Sequence, residues 1–244
     1  MEMMRTDHKF FIYPLTDWRI LDIKGLMECS NFEKFKKYDY AKKLLQKMKS
    51  QNFVNVYRCV LNGKNYYYLT PLAEKFINQD QKSSISEETI FHDAMVSSLG
   101  IELSKIKPFI TEIELEHKIK NGKSRTSFDD IIPDARLKGH FKGANFTSAI
   151  EVELHQKEKS RIISKAKHYL KSSFYDYAFY FFPDEKILKN YANILRKELD
   201  NDFNQKIFLF STPKIFEGKN TLYESTGLVK GQSKTILQLF EVAP

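Results

Sequence analysis

The stretch at residues 131–154, IIPDARLKGHFKGANFTSAIEVEL, reads as two apolar strands joined by a glycine-containing turn, yet each strand carries acid where its neighbours are aliphatic. Strand side chains alternate between faces, so Glu151 and Glu153 share one side while Ile150, Val152 and Leu154 take the other. With residues 142–145 as the tip of an antiparallel hairpin, Asp134 stands opposite Glu153 and Arg136 opposite Glu151. A shift of two residues sets Asp134 opposite Glu151 instead. Either register gathers three carboxylates, and like charges on adjoining strands repel and resist desolvation. A hard divalent cation compensates them: Mg²⁺ (or Mn²⁺) is held by one or two carboxylates, keeps several waters, polarises a phosphoryl oxygen and activates water. The alternative without chemistry is pairing with Arg136, Lys157, Lys159 or Arg161, all close in sequence.

Outward from this hairpin, the chain alternates helix and strand. A basic helix is expected over residues 157–172, then the strand YDYAFYFF, the helix DEKILKNYANILRKEL and the strand KIFLFST. On the amino-terminal side, FITEIELEHKI alternates apolar and charged residues as a strand with one apolar face. A helix precedes it, capped by Ser84 or Ser86, burying Phe91, Met95 and Leu99 and stopping at Gly100. A meander followed by helix–strand alternation implies a mixed sheet flanked by helices, an α/β (α+β) fold.

The first third is organised differently. From Asp17, Trp18, Ile20, Leu21, Leu26 and Met27 recur at helical spacings. NFEKF is a short second element. YDYAKKLLQKMKSQNFV then places Tyr40, Ala41, Leu44, Leu45 and Met48 on one stripe and leaves Lys42, Lys43, Gln46, Lys47 and Lys49 around the rest. FVNVYRCVL and KNYYYLTP flank an Asn-Gly turn, and TPLAEKFI resumes as a helix with Thr70 as cap and Pro71 first. The polar stretch 78–88 marks the junction, giving domains at 1–80 and 89–244 with a linker at 81–88.

Composition sets the frame. The chain has 244 residues, of which 42% are hydrophobic, and a formal net charge of +8; this is a globular composition for which a polyanion is a reasonable partner. Between residues 34 and 50, seven lysines face one acid, Asp39. Duplex contact is the favoured account of that run, with a solvated or protein-binding helix face as the alternative. Two cysteines, Cys29 and Cys59, without metal-ligand spacing suit a reducing, cytoplasmic compartment. No run approaches the roughly 18 apolar residues of a membrane span.

The order helix, short helix, basic helix, hairpin, helix resembles a winged helix-turn-helix domain, in which the third helix enters the major groove and the hairpin follows the backbone. That likeness implies that Lys42, Lys43, Gln46, Lys47 and Lys49 face double-stranded DNA, with Arg58 and Lys64 on or near the wing. Pro133-Asp134 followed by Glu151-Val152-Glu153 resembles the PD-(D/E)XK, or restriction-endonuclease-like, superfamily. Together with Lys165 and Tyr169 in a Lys-x-x-x-Tyr spacing, these residues are similar to replication-relaxation-type proteins of plasmids and other mobile elements. The resemblance implies Mg²⁺- or Mn²⁺-dependent DNA nicking, with Asp134, Glu151 and Glu153 on metal, and a homodimer or partner proteins of a replication or transfer complex. Glu153 stands where active members usually carry lysine; a minority of restriction endonucleases carry glutamate there and still cut, and Lys157 or Lys165 from the next helix could substitute. The other outcome is a catalytically inactive DNA-binding regulator or accessory factor.

Overall fold

The computed structural model describes residues 6–30, 33–77, 85–121 and 131–241. The chain divides into two compact units, Met1–Ser98 and Leu99–Pro244. Of the expected linker, residues 81–84 lie outside the described residues.

The first unit runs α1 (Thr6–Ile12), α2 (Pro14–Trp18), β1 (Ile20–Asp22), α3 (Ile23–Glu28), a 3-10 turn at Glu33–Lys36, α4 (Tyr38–Ser50), β2 (Val54–Arg58), β3 (Asn65–Leu69) and α5 (Pro71–Ile77). The helix expected from Asp17 is in fact broken. Arg19 sits at φ 64°, and Ile20 and Leu21 leave the helix to pair with Tyr68 and Tyr67. Asp22 then starts α3 by accepting a hydrogen bond from Gly25 N at 2.8 Å, an N-cap that a short polar side chain supplies. The sheet order is β1-β3-β2. Thr70 caps α5 as expected, its Oγ1 accepting from Ala73 N at 3.2 Å.

Next comes α6 (Ile90–Ser104), which passes straight through Gly100. A helical glycine costs about 1 kcal/mol relative to alanine, and the burial of Leu99, Ile101 and Leu103 outweighs it.

The second unit is built on β4 (Ile110–Leu115), α7 (Glu116–Asn121), β5 (Ala135–Phe141), β6 (Ala144–Val152), α8 (Lys159–Lys171), β7 (Tyr177–Phe182), α9 (Glu185–Leu199), β8 (Ile207–Ser211), α10 (Pro213–Phe216), β9 (Thr226–Val229), β10 (Gln232–Ser233) and α11 (Ile236–Leu239). Its strand order is β10-β9-β8-β7-β6-β5-β4. Strands β4, β5 and β6 form an antiparallel meander, while β6, β7 and β8 run parallel. Strands β7 and β8 are nearly continuous apolar runs because both of their faces are covered. On one face, Ile162, Ala166 and Tyr169 of α8 and Leu188, Tyr191 and Leu195 of α9 pack with Ala149, Ala178, Tyr180 and Leu209.

The first strand of the meander is shorter than its sequence pattern. It ends at Leu115, where Glu116 N donates to Asp134 O at 2.9 Å, and the residues beyond turn into α7. An ion pair between Lys120 and Glu116, four residues apart at 2.6 Å, fits helix rather than strand.

Candidate functional site

The register of the β5–β6 hairpin decides which acids meet. Phe141 pairs with Ala144 across a two-residue tip, Lys142 at φ 50° and Gly143 at φ 83°. Two successive positive φ values make the tight turn whose twist matches antiparallel strands. Asn145 therefore belongs to the strand rather than the tip. Ala135 pairs with Ile150 and Arg136 with Ala149, so one step further along the same ladder Asp134 comes opposite Glu151. The register placing Arg136 opposite Glu151 is not the one adopted.

Arg136 is instead taken by the neighbouring strand, where Nε donates to Glu114 Oε2 at 2.8 Å. Its guanidinium also lies 5.5 Å from the Phe174 ring centre. Lys138 pairs with Glu112 at 2.8 Å on the same ladder. Arg136 and Lys138 are thus engaged by β4 acids, while Lys159 pairs with Glu198 of α9.

What reaches Glu151 comes from α8. Residues four apart share a helix face, and Lys165 and Tyr169 both point at this carboxylate. Lys165 Nζ lies 2.5 Å from Oε2, and the Tyr169 hydroxyl donates to Oε1. Glu151 is 1% exposed and Tyr169 1%, while the Lys165 side chain keeps 30% of its surface. The Lys165 end of the cluster therefore reaches solvent. Asp134 Oδ2 accepts from Val152 N at 2.7 Å, which ties its carboxylate to the strand edge beside Glu151. Glu153 is also buried, and Lys157 stands 3.9 Å from its Oε2.

The electrostatics follow from this packing. Burial, and then the Asp134 charge, push the Glu151 carboxyl up to about 8, with Lys165 and Tyr169 pulling the other way. For Lys165, burial opposes the charge, but Glu151, Asp134 and Glu153 together outweigh it and hold the ammonium above the ordinary lysine value. All three carboxylates named by the sequence therefore act on one cation. Burial and then Glu151 hold the Tyr169 phenol well above its usual value. Tyr180, opposite Glu151 in the β6–β7 ladder, is raised first by burial and then by Glu151 and Glu153.

Among the described residues, no group of three or more His, Cys, Asp or Glu side chains is arranged to hold a metal ion. The three-carboxylate ligand set is thus not assembled there; Asp134 and Glu151 are the carboxylates the register sets face to face, and a pair of that kind is what Mg²⁺ with several waters would take. Their mutual repulsion is already opposed by Lys165. The buried Tyr180 hydroxyl has no hydrogen-bond partner among the described residues.

In the first unit, Lys42, Lys43, Gln46, Lys47 and Lys49 are all exposed on α4, whose opposite stripe buries Ala41, Leu44, Leu45 and Met48. Arg58 is exposed at the end of β2. Lys64 departs from expectation, because its ammonium is paired with the buried Asp22 and is turned inward rather than along the hairpin surface. Neither cysteine is in a disulfide; Cys59 is buried and Cys29 partly so.

Tyr169 and Tyr180 are the site residues that sequence reasoning did not assign a role. Tyr169 was within reach, since its spacing from Lys165 places both on one helix face. Tyr180 had no signal beyond alternation, because its position opposite Glu151 depends on a parallel pairing that sequence does not encode locally.

Compared with known proteins, the chain matches no protein-family model and no curated protein sequence. No helix among the described residues is long and apolar enough to cross a membrane.

Proposed function

We propose that this chain is a DNA-binding protein of a plasmid or other mobile element, with a PD-(D/E)XK nuclease-like second unit that nicks or cleaves duplex DNA with Mg²⁺ or Mn²⁺. The observation that carries the reading is the convergence on Glu151: Lys165 and Tyr169 from one helix face, and Asp134 from the facing strand position. The order helix, antiparallel meander, helix, parallel strand around this cluster supports it. In the first unit, a three-stranded sheet carries a hairpin beside a helix with four exposed lysines and a glutamine, which supports winged-helix docking on a phosphate backbone.

In this reading Asp134 and Glu151 hold the cation, which when bound would polarise the phosphoryl group and activate water. Lys165, kept charged by its three carboxylate neighbours, would stabilise negative charge developing on the phosphate. Tyr169 fixes the Glu151 rotamer. A second reading, an inactive regulator or accessory factor, is favoured by Glu153 in the usual lysine position and by Lys165 and Tyr169 already occupying both oxygens of Glu151.

Supercoiled plasmid incubated with the purified protein and Mg²⁺ or Mn²⁺ separates the two. Nicking that Asp134→Ala abolishes, while duplex binding persists, supports the enzyme. Binding without metal-dependent nicking in the wild type supports the accessory factor, and absence of duplex binding at low salt removes both.

A further inference from the structure

The tip of the β2–β3 hairpin carries the two most exposed large hydrophobic residues among those described: Val60, 91% exposed, and Leu61, 76% exposed. The others in that exposed set are aromatic, and most bear a hydroxyl. An aliphatic pair held in water is unfavourable for the isolated unit, and this tip cannot hide it. Cys59 N donates to Lys64 O at 2.9 Å and Gly63 N to Cys59 O at 2.9 Å, closing the turn below the pair. Asn62 braces it twice, accepting from Lys64 N at 3.1 Å and donating from Nδ2 to the Tyr66 hydroxyl at 2.9 Å. Gly63, at φ 70°, supplies a left-handed turn that few side chains tolerate. Cys59 and Tyr66 fill the space beneath and are fully buried, so Val60 and Leu61 are fixed outward rather than merely untidy.

We propose that Val60 and Leu61 form an apolar wedge that enters the minor groove of duplex DNA and partly unstacks a base step; this rests on the reading of the first unit as a DNA-binding module. The charge on the same unit selects the occupant. Four exposed α4 lysines and Arg58, which lies two residues before Val60, call for a polyanion, while the hairpin tip calls for an apolar surface. A duplex offers both, with phosphates outside and base faces between them. Aliphatic wedges of this kind kink DNA toward the major groove, and burying two aliphatic side chains offsets much of the cost of opening one step. Such a kink would carry specificity through the deformability of the site, where Gln46 is the one α4 side chain suited to bidentate base contact.

The test uses the full chain and a mixed-sequence duplex carrying 2-aminopurine at successive positions and a dye on each end. Anisotropy reads binding, energy transfer reads bending, and 2-aminopurine brightening reads unstacking. The wild type should bind, shorten the end-to-end distance by a bend of about 20° or more, and brighten one position. Val60→Ser with Leu61→Ser should lose the bend and the brightening while weakening binding by no more than about tenfold. Leu61→Phe should keep both signals. Wild-type binding without bend or brightening overturns the wedge and leaves the DNA reading standing, as does a double-serine variant that still bends the duplex. No binding at low salt overturns both. If the serine pair instead abolishes a concentration-dependent dimer seen by sedimentation, or partition onto anionic vesicles, with DNA signals unchanged, the tip serves that contact and the wedge is rejected.

Discussion

Two ladders of the same sheet treat their acids in opposite ways. Between β4 and β5, each glutamate faces a cation directly across the strand gap, Glu112 with Lys138 and Glu114 with Arg136. Between β5 and β6, Asp134 comes opposite Glu151, acid against acid, and the cation is delivered from outside the sheet by Lys165 of α8. The first arrangement is closed within the ladder: its charges satisfy one another where they stand. The second is buried, strained electrostatically and partly open along the lysine. Geometry alone thus distinguishes acids paired across a ladder from acids whose cation arrives from a helix.

The largest effect expected from this contrast is on chemistry. Asp134→Asn and Glu151→Gln should each reduce metal-dependent nicking by about 100-fold or more, whereas Glu114→Gln should leave the single-turnover rate close to wild type. Equal losses from all three would erase the distinction.

Next in size is a stability effect with a pH signature. Removing one partner of a buried pair costs about 3–5 kcal/mol when the other must stay charged. Glu151 can escape by taking a proton, since its carboxyl is already raised to about 8. Lys165→Met should therefore cost most in denaturant melts above pH 8 and much less near pH 6. A penalty independent of pH would contradict the pairing.

The wild type should carry the same signature more weakly in metal-free buffer. A carboxyl raised from 4.5 to about 8 on folding keeps its proton in the native state after the unfolded chain has lost it. The folded state then binds more protons, and stability falls as pH rises from about 4.5 to 8. Glu151→Gln should flatten that fall; an unchanged slope would mean that another group causes it. The smallest effect belongs to the exposed pair. Lys138→Ala should cost less than about 1 kcal/mol and vanish at high salt.

Much of this was legible in the sequence, and the failures have identifiable causes. The alternation of Ile150, Glu151, Val152 and Glu153 gave the faces, and the apolar parallel strands were clear from their length. The register was not, because hydrophobic alternation repeats every two residues and fits both pairings equally. The backbone at Lys142 and Gly143 resolved it. Helix periodicity misread Ile20 and Leu21, whose place in a three-residue edge strand depends on pairing with β3, distant in sequence. Gly100 and the end of β4 failed for a related reason: local stop and alternation signals were overridden by burial and by a single ladder bond from Glu116. Lys64 looked like a surface cation until Asp22, forty-two residues away, drew it inward.

The most direct test is Mn²⁺ binding followed by electron paramagnetic resonance without DNA, in wild type, Asp134→Asn, Glu151→Gln and Glu114→Gln. Occupancy of one site per chain, lost in the first two variants and retained in the third, is the predicted result. Binding that survives Asp134→Asn and Glu151→Gln, or that disappears only with Glu114→Gln, would show that the acid-on-acid ladder is not a metal site.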